Sequence, residues 1–237
     1  MALHDLRLSL TLVATLAASG AQAANLYSQN FETDTAGVSG AGFITPTLGY
    51  AALGFGTTMF RNGGPGNPAP STVISFTAGS ALSGGTLDFD LAVIDSWDGN
   101  SALGGCCNTD LFSVTLDGLT VFSADFNNVW SFVTGFNGVD TQTFPRDGRM
   151  LAGPIADLAG EWNGSNGFDS AYRLSVALGD LTAGAHTLEF FAGGPGWQEL
   201  TDESFAIDNI RVSAVPVPGS VWLMGSALLG VGLRHRR

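Results

Sequence analysis

The strand pattern is clearest in the stretch Gly85-Thr86-Leu87-Asp88-Phe89-Asp90-Leu91-Ala92-Val93-Ile94. The side chains of Leu87, Phe89, Leu91 and Val93 recur at every second residue, so one face of the stretch is apolar along its length. A period of two residues is typical of a β-strand with one face in a core. The stretch therefore predicts a half-buried strand.

A hairpin is predicted directly downstream of this strand. Leu111–Leu116 and Leu119–Phe122 are two strand-like segments separated by the dipeptide Asp117-Gly118. Asp-Gly is strongly favoured in two-residue hairpin turns, because both residues tolerate a positive φ. Further period-two segments are found at Thr72–Phe76, Ala171–Leu178, His186–Ala192 and Ser204–Val212.

The middle of the chain, between Ala24 and Ala214, contains no convincing stretch of helical period and no alternation of strands with helices. Many short strands joined by turn-rich segments indicate an all-β fold. We predict an antiparallel two-sheet sandwich, in the form of a jelly roll. Arg61 to Pro70 and Asn137 to Gly167 are rich in Gly and Pro and are predicted to be loops.

The two ends of the chain differ from the middle. Residues 1–23 have Arg7, an apolar run and Ala21-Gln22-Ala23, which is the pattern of a secretory signal peptide. Residues 24–214 form the predicted β-sandwich domain. Residues 215–233 carry no charged side chain. A helix over residues 220–233 would be about 21 Å long, against about 30 Å of hydrocarbon, which predicts a short transmembrane anchor.

The tail, residues 215–237, is the predicted sorting and anchor segment and also carries a short motif. Its residues are Val215, Pro216, Val217, Pro218, Arg234, Arg236 and Arg237, with the apolar run between them. This order resembles the PEP-CTERM sorting signal of Gram-negative bacteria, with Val217 at the place where the usual triplet has Glu. The resemblance implies export, a transient inner-membrane anchor, cleavage near the Pro motif by an exosortase-type protease, and transfer to the cell surface or extracellular matrix.

The composition of the predicted domain narrows its function. The chain has no Lys, and residues 24–214 contain 20 acidic residues and five Arg. Such a negative charge disfavours binding to nucleic acid, which requires neutralised phosphates, and is compatible with cation binding. The two Cys, Cys106 and Cys107, are adjacent. A vicinal disulfide, a bridge between molecules and two free thiols all remain open.

One acidic loop is a candidate calcium site. Asp95, Asp98, Asn100 and Asp110 offer oxygen ligands in or beside the loop between two predicted strands. Ca²⁺ takes six to eight oxygen ligands in flexible geometry. The alternative is an acidic turn in contact with solvent, with the side chains bonded to the local backbone.

A second resemblance concerns the first and last strands of the domain. Phe31-Glu32 and the stretch Ile207-Asp208-Asn209-Ile210 are similar to the terminal strands of concanavalin-like, MAM-like and carbohydrate-binding-module sandwiches. The resemblance implies a structural calcium held by Glu32 and Asp208, with Asp34 as a further ligand. The alternative is that Asp208 and Asn209 bond to the backbone at the end of a strand.

Two Trp residues are candidates for binding a glycan. Trp162 and Trp197 lie in Gly-bearing segments, and we expect their indoles to be exposed. An exposed indole can stack on the face of a sugar. The alternative is that they close the core or the base of a loop.

Catalysis has little support in the sequence. The motifs G-x-S-x-G and H-E-x-x-H are absent, and His186 is the only His outside the two predicted targeting segments. We therefore expect a non-catalytic exported protein that binds or structures exopolysaccharide in a biofilm, by analogy with the second resemblance. The alternatives are a glycan lyase or hydrolase on the same fold and a purely structural surface protein.

Overall fold

The computed structural model describes residues 22–100, 102, 108–128, 142–145, 149–156, 158, 169–198 and 202–217. The predicted signal peptide and tail helix therefore lie almost entirely outside the described residues. Within them no helix is long and apolar enough to span a membrane. The elements are β1 Ala24–Gln29, β2 Val38–Gly40, β3 Phe43–Pro46, the 3-10 helix η1 Leu48–Leu53, β4 Thr58–Asn62, β5 Thr72–Ala78, β6 Leu82–Asp95, β7 Leu111–Leu116, β8 Leu119–Asp125, β9 Met150–Ala156, β10 Asp169–Leu181, β11 Gly184–Gly193 and β12 Glu203–Pro216.

The strands form two antiparallel sheets. The large sheet has the order β3-β4-β12-β6-β10-β9, and β1 pairs with a second stretch of β12. The small sheet has the order β2-β5-β11-β7-β8. The prediction of an all-β, antiparallel two-sheet fold is confirmed. The first and last strands pair with each other, since Ala24 lies opposite Ala214.

The alternating stretch from Gly85 to Ile94 lies at the centre of the large sheet. It forms most of β6, between β12 and β10. Its four alternating side chains, Leu87, Phe89, Leu91 and Val93, are at most 1% exposed. They belong to one buried cluster with Ile74, Phe112 and Phe190 of the small sheet, so the core lies between the two sheets. Burying each such side chain stabilises the fold by about 1.5–3 kcal/mol.

The outer face of the large sheet is also covered in part. Tyr50 of η1 and the neighbouring Phe55 and Met59 are buried against Ala92 and Ile94 of β6. The end of β6 is thus enclosed on both faces. This explains why its sequence, Leu91 to Ile94, is continuously apolar where the rest of the strand alternates.

The sequence predictions fail in two places. The segment predicted as a long loop contains β9, Met150–Ala156, which includes Pro154. Pro is tolerated in a sheet mainly at an edge, and β9 is an edge strand. Phe31 and Glu32 do not lie in the first strand, which ends at Gln29. Phe31 has a φ of 56° and follows the strand in a bend, so the chain turns sharply there.

The strand ends define two ends of the molecule. The acidic end contains the last residues of β6 and β11 and the first residues of β7 and β12. The tail end contains the first residues of β6 and β11 and the last residues of β10 and β12. At the tail end, β12 continues through Val215 and Pro216, which pair with Ser83 and Leu82 of β6. Strand β12 therefore continues into the first two residues of the predicted tail.

A buried carboxylate triad

Three carboxylates meet at the acidic end. Asp98 follows β6, Asp110 precedes β7, and Glu203 is the first residue of β12. One oxygen from each lies within 4.8 Å of the others. Asp110 and Glu203 are fully buried, and Asp98 is 5% exposed. Because β7 belongs to the small sheet and β12 to the large sheet, this triad connects the two sheets.

The hydrogen bonds of the triad leave two oxygens without donors. The Asp98 amide donates to Asp110 Oδ2 at 2.5 Å, and the Gln198 amide donates to Glu203 Oε2 at 2.7 Å. Asp110 Oδ1 and Glu203 Oε1 are buried and have no hydrogen-bond partner. Buried polar atoms are nearly always satisfied. A proton on Glu203 shared with Asp110 would satisfy these carboxylates, and so would a bound cation.

The loop between β11 and β12 packs tightly on the triad. A Cβ on Gly196 would lie 2.8 Å from Asp110 Oδ1 and 2.9 Å from the Asn108 carbonyl oxygen. Any larger residue at this position would push the loop away from the carboxylates. Asn108 itself has a φ of 93°, so the backbone on the other side is also held in an uncommon conformation.

The electrostatics of the triad follow from its burial. Burial, with the charge of Asp202 nearby, raises the pKa of Asp98 to about 6. Burial and the neighbouring carboxylates raise the pKa of Asp110 and of Glu203 as well. Three buried carboxylates cannot all be ionised unless a cation compensates them, since the penalty for each buried ion is several kcal/mol. The triad must hold either protons or a metal ion.

A cluster of aromatic rings surrounds Trp97, the residue that precedes Asp98. Trp97 is fully buried and donates its Nε1–H to the Ser204 carbonyl at 2.8 Å. It makes edge contacts with Trp197 and Phe126, with ring centroids 5.4 and 6.3 Å apart. These contacts anchor the segment before Asp98 in the core, beside the first residues of β12.

The structure divides the first predicted set of ligands. It brings Asp98 and Asp110 together, as the loop predicted. Asp95 instead faces Arg61, with Nη2 and Oδ2 3.8 Å apart. The side chain of Asn100 faces Asp125, at 3.4 Å. Of the four predicted ligands, Asp98 and Asp110 are members of the triad, whereas Asp95 and Asn100 contact Arg61 and Asp125.

Sequence reasoning missed the third member of the triad. Glu203 is 93 positions beyond Asp110, and no local spacing connects the two. It reaches the site through strand register, because Glu203 pairs with Asp95 at the end of β6. An acidic residue at the start of the last strand was the only available signal.

The second predicted set lies about halfway along β12. Glu32 accepts hydrogen bonds from the amides of Thr57 and Thr58 and from the Thr57 hydroxyl. Asp208 is buried, and its Oδ2 has no hydrogen-bond partner. Burial, followed by the charges of Asp90 and Glu32, raises the pKa of Asp208 to about 8.

Glu32 and Asp208 are therefore close enough to interact, but they do not gather a third ligand. Asp34 is bonded to Gln29 and to the Ala36 amide. Asp90 is held by Arg173 at 2.8 and 3.0 Å. Within the described part of the chain, the triad is the group of three whose ligand atoms converge.

The predicted exposure of Trp197 is wrong. Its side chain is only 8% exposed because the Gly-rich loop folds its indole onto Trp97. Trp197 still lines one side of a cleft of about 380 Å³, with Gln198, Gly66 and Asn67. Trp162, Cys106 and Cys107 lie outside the described residues.

The tail motif is described only at its start. Val215 and Pro216 end β12, and Val217 is partly exposed, whereas Pro218, Arg234, Arg236 and Arg237 lie outside the described residues. The family model described as the PEP-CTERM protein-sorting motif matches residues 214–237. The chain carries a PEP-CTERM sorting motif. This motif implies export and membrane-associated processing by an exosortase-type system.

The body of the chain has only distant structural likenesses. The K2 cleaved adhesin domain of Lys-gingipain gives a TM-score of 0.42 at 13% identity, over 81% of this chain and 98% of that one. The CBM35 module of Abf62 from Cellvibrio japonicus gives 0.35 at 13% identity, over 83% of this chain and 100% of that one.

A xylanase from Clostridium thermocellum, Xyn10B with its CBM22-1 and GH10 modules, gives a TM-score of 0.37 at 9% identity. That likeness covers 82% of this chain, which spans only 29% of the xylanase chain. No curated protein sequence matches. At these scores, none of the three structures indicates what this chain binds.

Proposed function

We propose that this chain is a non-catalytic exported protein of the cell surface or biofilm matrix. Its β-sandwich binds or structures an extracellular polysaccharide, and calcium at Asp98, Asp110 and Glu203 stabilises it. An exosortase-type protease processes its tail after a transient stay in the inner membrane. The sorting motif supports export, and the triad supports the cation.

The observation that carries this proposal is the arrangement of β12. Its first residue, Glu203, is a member of the triad, and its last residues, Val215 and Pro216, belong to the sorting motif. At about 3.3 Å per residue the strand separates these two features by about 40 Å. A domain held at its tail thus presents the triad and the neighbouring Trp197 cleft away from the membrane.

Calcium is the cation that fits the ligands best. The triad offers only carboxylate oxygens, and the Asn108 carbonyl lies next to Asp110. Hard oxygen ligands suit Ca²⁺, Mg²⁺ and Mn²⁺, whereas Zn²⁺ and Cu²⁺ prefer nitrogen or sulfur ligands. Three carboxylates from separate segments suit the flexible coordination of Ca²⁺ better than that of Mg²⁺, which demands a near-ideal octahedron.

A binding role is more consistent with the triad than a catalytic one. A general acid or nucleophile must touch the bond that it cleaves. Asp110 and Glu203 are fully buried, and the Gly196 loop packs closely on Asp110, so a polysaccharide cannot reach these two carboxylates. The polysaccharide itself is proposed by analogy with carbohydrate-binding sandwiches whose terminal strands the sequence resembles. The paired β1 and β12 agree with that analogy.

Two finer features belong to this proposal. The two sheets follow jelly-roll connectivity, and residues 220–233 form a short membrane helix. Fractionation of cells that express the full chain or a chain ending at Val217 tests the second feature. We expect the full chain in the membrane before processing and the shortened chain in the soluble fraction. Equal distribution of the two chains between the membrane and soluble fractions would contradict the proposed membrane anchor.

The function is tested with the polysaccharide that the producing bacterium secretes. Purified chain is sedimented with this polymer in calcium and in chelator, and the polymer's size is then measured. Sedimentation in calcium with unchanged polymer size is the expected result. Shortening of the polymer would favour a glycan lyase or hydrolase. If the chain does not sediment with the polymer in either condition, a purely structural surface protein is favoured.

A further inference from the structure

His186 at the tail end has an unusual set of partners. Its Nδ1 lies 2.7 Å from Asp117 Oδ2, and its Nε2 lies 2.9 Å from the carbonyl oxygen of Thr182. A carboxylate and a carbonyl only accept hydrogen bonds. A neutral imidazole has a single N–H and can satisfy only one of them. Both contacts are made only when the ring is protonated at both nitrogens.

The ring connects three parts of the sandwich. Asp117 begins the turn between β7 and β8, and Thr182 lies in the turn between β10 and β11. The ring also stacks on Phe76 of β5, with centroids 5.3 Å apart. The His186 side chain is buried, whereas its partners Asp117 and Thr182 are exposed residues of the two turns.

The Asp117 side of this arrangement is fixed independently of the ring. Asp117 Oδ1 accepts the Thr187 amide at 2.8 Å, and the Asp117 amide donates to the Thr187 carbonyl at 2.8 Å. The β7–β8 turn therefore stays attached to β11 whatever the state of His186. Thr182 has no comparable second contact with His186, so its contact depends on the second ring proton.

The charges around the ring favour its protonated form. The small cavity beside it, of about 220 Å³, is lined mainly by apolar side chains, and the charged groups that line it with His186 are Asp117 and Asp180. The Thr182 carbonyl, and then the Asp117 carboxylate, raise the pKa of His186 above its ordinary value. Burial acts to raise the pKa of Asp117, but hydrogen bonds from His186 and from the Thr187 amide lower it overall.

We infer that His186 is a proton-operated clamp between the β7–β8 turn and the β10–β11 turn. Loss of the ring proton leaves one N–H, which stays with the charged acceptor Asp117 because a carboxylate is the stronger partner. Nε2 then presents a lone pair to the Thr182 carbonyl, and the two repel. The β10–β11 turn is released while the β7–β8 turn remains in place.

The clamp lies at the end from which the sorting motif departs. Leu181, next to Thr182, pairs with Leu82, and Leu82 pairs with Pro216. Release of the β10–β11 turn therefore loosens the β-ladder that holds the last residues of β12. This role is independent of the triad and of any glycan.

The test is a titration of the full chain in detergent micelles by ¹⁵N NMR of the imidazole side chains. Amide hydrogen exchange is followed over the same pH range and corrected for intrinsic base catalysis. His186 is assigned by comparison with H186Q, since the chain has three His. We expect two ring N–H groups at pH 6, a midpoint above the ordinary value of about 6.5, and faster exchange at residues 181–184 above that midpoint.

D117N provides a second variant that does not depend on the folding of H186Q. It keeps a hydrogen-bond acceptor but removes the negative charge, so it should shift the midpoint of His186 downward. Two results would overturn the clamp. One is a neutral His186 ring at pH 6, and the other is amide hydrogen exchange at residues 181–184 that does not change with the protonation of the ring.

Discussion

The two ends of the sandwich compensate charged side chains in opposite ways. At the tail end, the His186 ring and the Asp117 carboxylate complete each other's hydrogen bonds. At the acidic end, Asp110 and Glu203 each keep a buried oxygen without a donor. The first arrangement needs only a proton, which water supplies. The second needs either additional protons or a cation, and this difference is why we propose a metal ion at the acidic end alone.

The largest expected effect concerns side-chain packing at the acidic end, which should stabilise the fold independently of a bound ion. Trp97→Ala removes a fully buried ring that contacts Trp197 and Phe126. We expect a loss of about 3–5 kcal/mol in the free energy of unfolding, as for other large core residues. Urea unfolding of the purified chain measures it.

The matched control at the tail end is Leu119→Ala. Leu119 is 74% exposed, so its truncation should change the free energy of unfolding by less than about 0.5 kcal/mol. Equal losses in the two variants would contradict the described burial of Trp97.

The next effect concerns the charge of the triad. Glu203→Gln keeps an acceptor for the Gln198 amide but removes one negative charge. In chelator the variant should be at least as stable as the natural chain, because the raised pKa of Glu203 keeps this side chain neutral without the ion and Gln is neutral as well. In calcium at a hundred times the dissociation constant it should lack a gain of about 2.7 kcal/mol. Unfolding in both conditions measures these differences.

Asp208→Asn is the control for this variant, because it makes the same change in the second acidic set. It should keep the full response to calcium if the ion binds the triad. If the stabilisation by calcium disappears in Asp208→Asn and persists in Glu203→Gln, the ion binds at Glu32 and Asp208 and not at the triad.

The smallest effect is the pH dependence of the tail end. The folded pKa of His186 is raised, so its contribution to stability is complete below about 6.5 and is lost as pH rises through the folded pKa. The folded pKa of Asp117 is lowered, so its contribution is lost as pH falls through that value. His186→Gln should therefore cost about 1 kcal/mol near pH 6 and less near pH 9.

Urea unfolding at these two pH values compares the variant with the natural chain. Phe76→Leu, which changes the stacked ring without changing charge, should have an effect independent of pH. A pH-independent loss in His186→Gln would mean that only packing matters at this position.

The parts of the fold that the sequence predicts are those that depend on neighbouring residues. The hairpin around Asp117-Gly118 follows from a turn dipeptide between two alternating segments. In the structure its strands are β7, Leu111–Leu116, and β8, Leu119–Asp125. The sequence does not predict strand β9, because Gly153 and Pro154 interrupt the period-two alternation that marks the other strands. An edge position tolerates both residues, but the sequence does not reveal which strand lies at an edge.

The triad shows the same limit at a site. Asp98 and Asp110 share a loop region and were predicted together, whereas Glu203 arrives through the register of β12 against β6. Trp197 was predicted to be exposed from its Gly-rich surroundings, yet the same glycines let the loop fold back onto Trp97. Local composition indicates that a loop can bend, and only the packed sheets determine where it goes.

The central claim is that the buried triad holds calcium, and thermal unfolding of the purified chain in excess calcium and in excess chelator tests it most directly. A ligand that binds only the folded state raises the midpoint with its concentration. We predict a rise of about 5–10 °C at a hundred times the dissociation constant, since 1 kcal/mol corresponds to about 2–4 °C at this size. Identical midpoints in the two conditions would contradict the claim and leave the triad to be neutralised by protons.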